Sequence, residues 1–208
     1  MARGPDLVGL TVLGLLSIRE SHPYELQQLI TNTRKDFLTG LPRSLYLAVE
    51  RLSKAGLIEA SETVRSGRRP ERTIYRITEA GRDDMTTRLR MLIEQPDPDR
   101  RAFMAALSLL GCLPMPVARD ALEIRRATVA AAIASLTAGL TELRLRGMPD
   151  LVVLKLEHEC SVQQAELDWV ESVLARFDSG TLDWSGAVRA DLLSDALNDS
   201  PTDTEEQP

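Results

Sequence analysis

The chain has 208 residues, of which 43% are hydrophobic and 27% charged, a composition typical of a soluble globular protein with one or two domains. Its two cysteines, Cys112 and Cys160, are too few for a disulfide framework, so we expect a protein of the reducing cytoplasm. The net charge of −6 conceals an asymmetry that indicates a nucleic-acid-binding half, because residues 1–82 carry 13 Lys and Arg against 9 Asp and Glu, whereas the remainder carries 12 against 22.

The first predicted element is a buried helix from Leu7 to Arg19, with leucines at helical spacing. Its apolar run, residues 7–18, is shorter than the about 20 residues that cross a bilayer, so we expect no membrane association. No small-residue cleavage site follows the run, which argues against a signal peptide.

Two further helices follow. His22 precedes Pro23, and proline is well tolerated at the first position of a helix, so the second helix is expected to start there. Thr39-Gly40 breaks the chain, and Pro42 begins a third helix. That helix is expected to end at Gly56, since glycine readily adopts the left-handed conformation found after helix ends.

Two strands with a turn between them predict an antiparallel hairpin. The strands are Ile58 to Val64 and Thr73 to Thr78, and alternation places Ile58, Ala60 and Val64 on one face. Thr78 is a suitable N-cap for a fourth helix. The order helix, helix, helix, strand, strand, helix is that of a winged helix-turn-helix, with the turn as the wing.

The C-terminal half reads as helices that associate. After a proline-containing break at residues 95–99, we predict a short helix around Phe103 to Leu110 and two long helices, Val117 to Arg146 and Pro149 to Phe177. The last helix has two adjacent apolar stripes, wide enough to contact its own subunit and a partner, and which stripe faces the partner stays open. The residues that we predict for a dimer interface are Leu156, Leu167, Val170, Leu174 and Phe177.

The predicted fold is therefore mainly α-helical with a small β-hairpin. We divide the chain into a winged-helix DNA-binding domain at residues 1–94 and a C-terminal helical dimerisation domain at residues 95–194. The polar, acidic residues 195–208 are expected to form a disordered tail.

The third helix is the candidate for reading DNA. At about 100° per residue, Leu45, Val49 and Leu52 share one face, and the opposite face is free for the major groove of B-DNA. Any exposed helix face carries polar residues, and Glu50 on the outer face opposes binding unless it accepts a hydrogen bond from cytosine. The residues of this helix that we predict to contact DNA are Arg43, Ser44, Tyr46, Arg51 and Lys54.

The turn of the hairpin is a second candidate, because its arginines are interrupted by only one acidic residue, Glu71. Arginines inserted into a narrow minor groove read DNA shape. The alternative is a hairpin whose charges only prevent aggregation at a strand edge. The arginines of this predicted wing are Arg65, Arg68, Arg69 and Arg72.

Several segments together resemble the PadR family of bacterial transcription regulators. They are His22-Pro23-Tyr24-Glu25-Leu26, Pro42-Arg43-Ser44-Leu45-Tyr46, residues 51–58 with the sequence RLSKAGLI, Gly67-Arg68-Arg69-Pro70, and residues 75–81 with the sequence YRITEAG. The long C-terminal half is similar to the branch of the family with the larger C-terminal domain. Leu41 departs from the family pattern by replacing the serine that usually caps the third helix. Arg43 and Leu47 replace the usual glycine and proline on the DNA-facing side, so a base preference cannot be transferred.

The resemblance implies a homodimer that binds double-stranded DNA at a near-palindromic operator, commonly as a repressor relieved by a small molecule. Trp169 either stacks on such an effector or packs in the dimer interface. The alternative to DNA binding is a winged-helix protein-interaction module. We expect no enzyme activity, cofactor or metal, because the sequence offers no catalytic set and because His158 and Cys160 point to different faces of a helix.

Overall fold

The computed structural model of the chain describes residues 5–33, 38, 40–64, 72–96 and 99–184. Within them the chain is mainly α-helical with one antiparallel hairpin, which confirms the predicted fold class. The elements are α1 Leu7–Ile18, α2 Pro23–Asn32, α3 Arg43–Lys54, β1 Ile58–Val64, β2 Arg72–Ile77, α4 Glu79–Glu94, α5 Arg100–Ser108, a 3₁₀ turn Leu110–Cys112, α6 Met115–Leu145 and α7 Asp150–Asp178. The predicted acidic tail, residues 195–208, lies outside the described residues.

Helix α2 begins where the sequence predicts, and side chains hold its first turn. The Nδ1 atom of His22 accepts a hydrogen bond from the backbone N–H of Tyr24 at 3.1 Å. In return Glu25 Oε2 accepts one from the backbone N–H of His22 at 2.9 Å. This reciprocal capping box satisfies N–H groups that the helix itself leaves unpaired, with Pro23 at the first helical position.

Helix α3 ends in the glycine motif that the sequence predicts. Gly56 has φ +71°, a left-handed conformation that glycine adopts without steric cost. Leu57 N–H donates to the carbonyl of Leu52, and Gly56 N–H to that of Ser53, both at 3.0 Å. These two bonds form a Schellman motif, which turns the chain from α3 directly into β1.

The hairpin pairs Ile58 with Ile77 and Ala60 with Tyr75, and then a bulge at Ser61 shifts the register. Beyond the bulge Thr63, not Val64, is opposite Thr73, so the prediction of uniform alternation from Ile58 to Val64 is wrong. An extra residue in one strand moves every later residue by one place in a pattern of period two. Tyr75 also forms a bridge with Ser21, through two backbone hydrogen bonds of 3.1 Å.

The chain divides into two compact units. Of the described residues, the first contains those of 5–89 and 99–113, together with residue 184. Its centre is α1, where every residue from Gly9 to Leu16 is buried, and α3, β2 and α5 pack around it. A side chain at Gly14 would place its Cβ 2.8 Å from Leu109 Cδ2, so glycine permits the close approach of Leu109.

The second unit contains residues 90–98 and 114–183. Helices α6 and α7 pack against each other as an antiparallel hairpin, and ion pairs join them along its length. These pairs are Arg119–Asp178, Arg125–Glu166 and Arg144–Glu157. Only the Arg125 side chain among them is fully buried, and its Nη1 also donates to the carbonyl of Ile93, in the last turn of α4, at 2.9 Å.

Helix α6 has an unusual surface. Its residues 127–141 include no charged side chain, and most of them are exposed or half-buried in the single chain. Among the described residues α6 is the one helix that is long and apolar enough to cross a membrane, by length and composition alone. Water-exposed apolar surface of this extent is typical of a helix that packs against a partner.

Candidate nucleic-acid interface

Helix α3 has one buried and one exposed face, as its sequence predicts. Leu45, Ala48, Val49 and Leu52 are buried, and they hold the helix in the first unit. The opposite face of α3 is exposed, and it is formed by Arg43, Leu47, Glu50 and Lys54. We call these four residues the outer stripe of α3. A helix held in this way can enter a major groove without losing its own packing.

The structure brings the five predicted DNA contacts of α3 onto one continuous surface. Arg43, Tyr46, Arg51 and Lys54 are exposed, and Ser44 is half-buried in the first turn. No ion pair engages Arg43 within the described part of the chain, so its guanidinium is available to a base edge or phosphate. Their roles in DNA contact stay predictions.

Two of these cations already have carboxylate partners. Lys54 Nζ lies 2.6 Å from Glu50 Oε1, one turn earlier on the outer stripe. The Lys54 ammonium lowers the pKa of the Glu50 carboxyl, chiefly through this hydrogen bond. Arg51 pairs with Asp6, whose side chain also accepts a hydrogen bond from Gly9 N–H at the start of α1.

Such solvent-exposed pairs contribute little to stability, so phosphate groups can replace the carboxylates. The pairs therefore keep both cations at the surface without preventing their transfer to DNA. The Glu50–Lys54 pair follows from the i,i+4 spacing. Asp6 was not predicted as a partner, because it is 45 positions from Arg51 and no local pattern links the two.

Hydrogen bonds tie the end of α3 to the hairpin and to α4. Thr78 Oγ1 donates to the carbonyl of Gly56 at 2.8 Å, and Thr78 N–H donates to that of Leu57 at 3.1 Å. The same hydroxyl accepts from Gly81 N–H at 3.0 Å, which confirms Thr78 as the N-cap of α4. Because one residue joins three elements, α3 and the strands of the wing keep a fixed relative position.

The wing itself is described only in part. Arg65, Arg68 and Arg69 lie outside the described residues. Arg72 is the first residue of β2, and its backbone pairs with Val64. The contact of these four arginines with DNA stays a prediction.

The predicted dimer residues of α7 fall into two groups. Val170, Leu174 and Phe177 are buried by their own chain, whereas Leu156 and Leu167 are half-buried. Trp169, on the second stripe, is 40% exposed. Sequence reasoning missed a further apolar cluster at the turn between α6 and α7, whose exposed members are Leu145, Met148, Leu151, Val152 and Leu154.

Comparison with known proteins gives one family match. Residues 12–87 match the model of the Transcriptional regulator PadR-like family. These residues run from the middle of α1 to the middle of α4, and so include α3 and both strands. No curated protein sequence matches the chain.

Similar solved structures include Bacillus subtilis PadR in complex with operator DNA, at 21% identity and a TM-score of 0.38, covering 81% of this chain and 98% of that one. Another is smu.1604c from Streptococcus mutans UA159, at 21% identity and a TM-score of 0.36, covering 84% of this chain and 99% of that one. A third is the PadR-like transcriptional regulator BC1756 from Bacillus cereus, at 18% identity and a TM-score of 0.36, covering 83% of this chain and 99% of that one. With TM-scores below 0.5, these likenesses carry no conclusion about function.

Proposed function

We propose that this chain binds double-stranded DNA in a sequence-specific manner as a cytoplasmic homodimer. Its residues 12–87 match the Transcriptional regulator PadR-like family. The observation that carries the proposal is the outer surface of α3. The opposite face of α3 is buried, and α3 lies in a winged helix. The N-terminal turn of α3 presents Arg43, which has no ion-pair partner among the residues that the structure describes. Two such helices, about 10 base pairs apart, fit a near-palindromic operator.

Removing the Arg43 side chain tests the DNA-binding surface. We expect Arg43→Ala to weaken binding to the chain's own upstream DNA by about 5- to 150-fold, since a base-edge contact contributes about 1–3 kcal/mol. Fluorescence anisotropy of a labelled duplex at several salt concentrations measures the effect. For the parent, log K should fall steeply with log salt, with a slope of about −0.9 per phosphate neutralised.

Arg90→Ala is the matched control, because Arg90 is an exposed arginine on α4 that pairs with Glu94. It should bind DNA like the parent. Equal affinity of the Arg43 and Arg90 variants for the operator would show that α3 does not read DNA. A parent protein that binds no duplex at any salt concentration would instead support the alternative, a protein-interaction module.

The exposed apolar surface of the second unit supports the homodimer. Leu145 and Leu151 are 84% and 80% exposed, and Leu154 is 52% exposed, although all three are large and aliphatic. Covering one Leu side chain contributes about 1.5–3 kcal/mol, so this surface gains from a partner. Val170, Leu174 and Phe177 are already buried in their own chain, so a partner meets the exposed residues of the turn between α6 and α7 instead. A second copy, supplying the same uncharged α6 face, is the simplest occupant.

Charges placed in the exposed cluster should separate the subunits. We expect the double variant Leu151→Asp and Leu154→Asp to be monomeric at concentrations where the parent is dimeric, because a buried unpaired carboxylate is costly. Sedimentation equilibrium in detergent-free buffer measures the masses. Ser172→Asp, which adds the same group at an exposed position of α7, should stay dimeric. A parent that is monomeric without detergent, or soluble only with it, contradicts the proposal.

The finer parts of the proposal come from the resemblance of the sequence to the family. They are repression, relief by a small molecule, and membership of the branch with the larger C-terminal domain, to which the 31-residue α6 and 29-residue α7 conform. Trp169 is 40% exposed in the single chain, so the exposed part of its ring can contact either an aromatic effector or the partner subunit.

A further inference from the structure

We propose that Leu47 determines part of the operator sequence by contacting the C5-methyl group of a thymine in the major groove. The inference rests on the proposed function and adds a base identity to it. It starts from an observation that DNA binding in general does not explain. A large aliphatic side chain, 50% exposed, lies in the middle of the surface offered to DNA.

The position of Leu47 is set by the helix. Arg43 is four residues before it, and Glu50 and Lys54 are three and seven residues after it, so all four share the outer stripe. The buried residues Leu45, Ala48 and Val49 hold the opposite side of this turn in the core. Leu47 therefore keeps one fixed height along α3, between the Arg43 guanidinium and the Glu50–Lys54 pair.

The surroundings of Leu47 decide what kind of partner it fits. Its neighbours on the outer stripe are charged, and Tyr46 beside it carries a polar hydroxyl, so Leu47 is the one aliphatic side chain on the exposed surface of α3. A protein partner needs an interface of about 1,200–2,000 Å² with an apolar centre, which one leucine among charges does not supply. The major groove, in contrast, displays one apolar group among its polar base edges, the thymine methyl.

The contact can be tested with a change of one methyl group in the DNA. The full-length protein first selects its preferred duplex from a random pool, and each thymine of that duplex is then replaced by deoxyuridine, which lacks only the C5-methyl. Fluorescence anisotropy gives Kd for the parent, Leu47→Ala and Leu47→Met on each duplex.

We expect one thymine in each half-site at which uracil weakens parent binding about fourfold, the factor for removing one methyl group from an apolar contact. Leu47→Ala should bind the thymine and uracil duplexes equally, whereas Leu47→Met, which keeps an apolar side chain of similar length, should retain most of the difference. Because Leu47 contributes little to the core, circular dichroism should show both variants folded.

Two results would overturn the inference and leave the proposed function in place. One is a parent that binds the selected duplex but is insensitive to uracil at every position. The other is a uracil effect that Leu47→Ala leaves unchanged, because another residue then makes the contact. Failure of the parent to select any duplex would overturn the inference together with the proposed function.

Discussion

Replacing Gly81 with alanine is expected to destabilise the protein by about 3 kcal/mol, the upper end of the usual range for an overpacked site. A Cβ at this position would lie 2.0 Å from the carbonyl oxygen of Leu57 and 2.9 Å from Ile77 Cγ1. The first contact is with backbone, so a change of side-chain rotamer cannot relieve it. Gly81 thus permits the first turn of α4 to approach the end of α3.

The neighbouring hydrogen bonds make movement of that backbone costly. The Leu57 carbonyl accepts a hydrogen bond from Thr78 N–H at 3.1 Å, and Leu57 N–H closes the last turn of α3. Displacing Leu57 by more than an ångström would break these bonds and leave buried polar groups without partners. The same displacement would move α3 relative to the hairpin, so we also expect weaker DNA binding.

Gly139→Ala is the matched control, since it makes the same chemical change inside a helix. Its Cβ would lie 3.7 Å from Leu156 Cδ2, an ordinary contact. Alanine is favoured over glycine in a helix by about 1 kcal/mol, so this variant should be slightly more stable. Urea titrations at one fixed protein concentration, followed by circular dichroism, compare the two. Equal free energies of unfolding for the two variants would show that the structure accommodates a Cβ at Gly81 without loss of stability, which would contradict the prediction.

Local patterns in the sequence predict local structure well in this chain. The helical period of 3.6 residues correctly predicts which face of α3 is buried and which is exposed, because that helix is amphipathic and packs against a single core. The caps at His22, Gly56 and Thr78 follow from residue types whose side chains or conformations satisfy helix ends. These features involve residues within about one helical turn, and a sequence records them directly.

Features that depend on distant parts of the chain do not follow from the sequence. The bulge at Ser61 is set by how β1 meets β2, so strand alternation alone missed it. Asp6 and Arg51 meet only because α1 packs on α3. On α7, adjacent stripes look equally apolar, and only the position of α6 decides that Val170 is buried while Trp169 stays exposed. The division of the chain at residues 94 and 95 stays a prediction.

The second large effect concerns the buried ion pair of the second unit. Arg125 Nε donates to Glu166 Oε1 at 2.6 Å, and Nη1 donates to the Ile93 carbonyl at 2.9 Å. The Arg125 side chain is 3% exposed and that of Glu166 is 24% exposed. Burial lowers the pKa of Arg125, and the nearby Glu166 carboxylate opposes this change, so the guanidinium stays charged at neutral pH.

Because Arg125 is less exposed than Glu166, removing the Glu166 side chain should lower the free energy of unfolding more than removing the Arg125 side chain does. Glu166→Ala removes the carboxylate that faces the buried guanidinium, and we expect a loss of about 3–5 kcal/mol in the free energy of unfolding. Arg125→Met fills most of the volume and leaves a carboxylate that water can reach, together with one unpaired carbonyl, for a loss of about 1–3 kcal/mol. The double variant should be more stable than Glu166→Ala alone, since it removes the buried charge.

Asp178→Ala provides the comparison, because Asp178 pairs with Arg119 between the same two helices at 2.9 Å but with side chains 59% and 38% exposed. An exposed pair contributes about 0–1 kcal/mol, so this variant should unfold close to the parent. Urea unfolding of the parent, Glu166→Ala, Arg125→Met and the double variant gives the free energies of a double-mutant cycle for Arg125 and Glu166, and Asp178→Ala is measured in the same way. If Glu166→Ala lowers the free energy of unfolding no more than Asp178→Ala does, water reaches the Arg125 guanidinium. If Glu166→Ala lowers the free energy of unfolding more than Asp178→Ala does, Arg125 is the buried charge that joins α6, α7 and the last turn of α4.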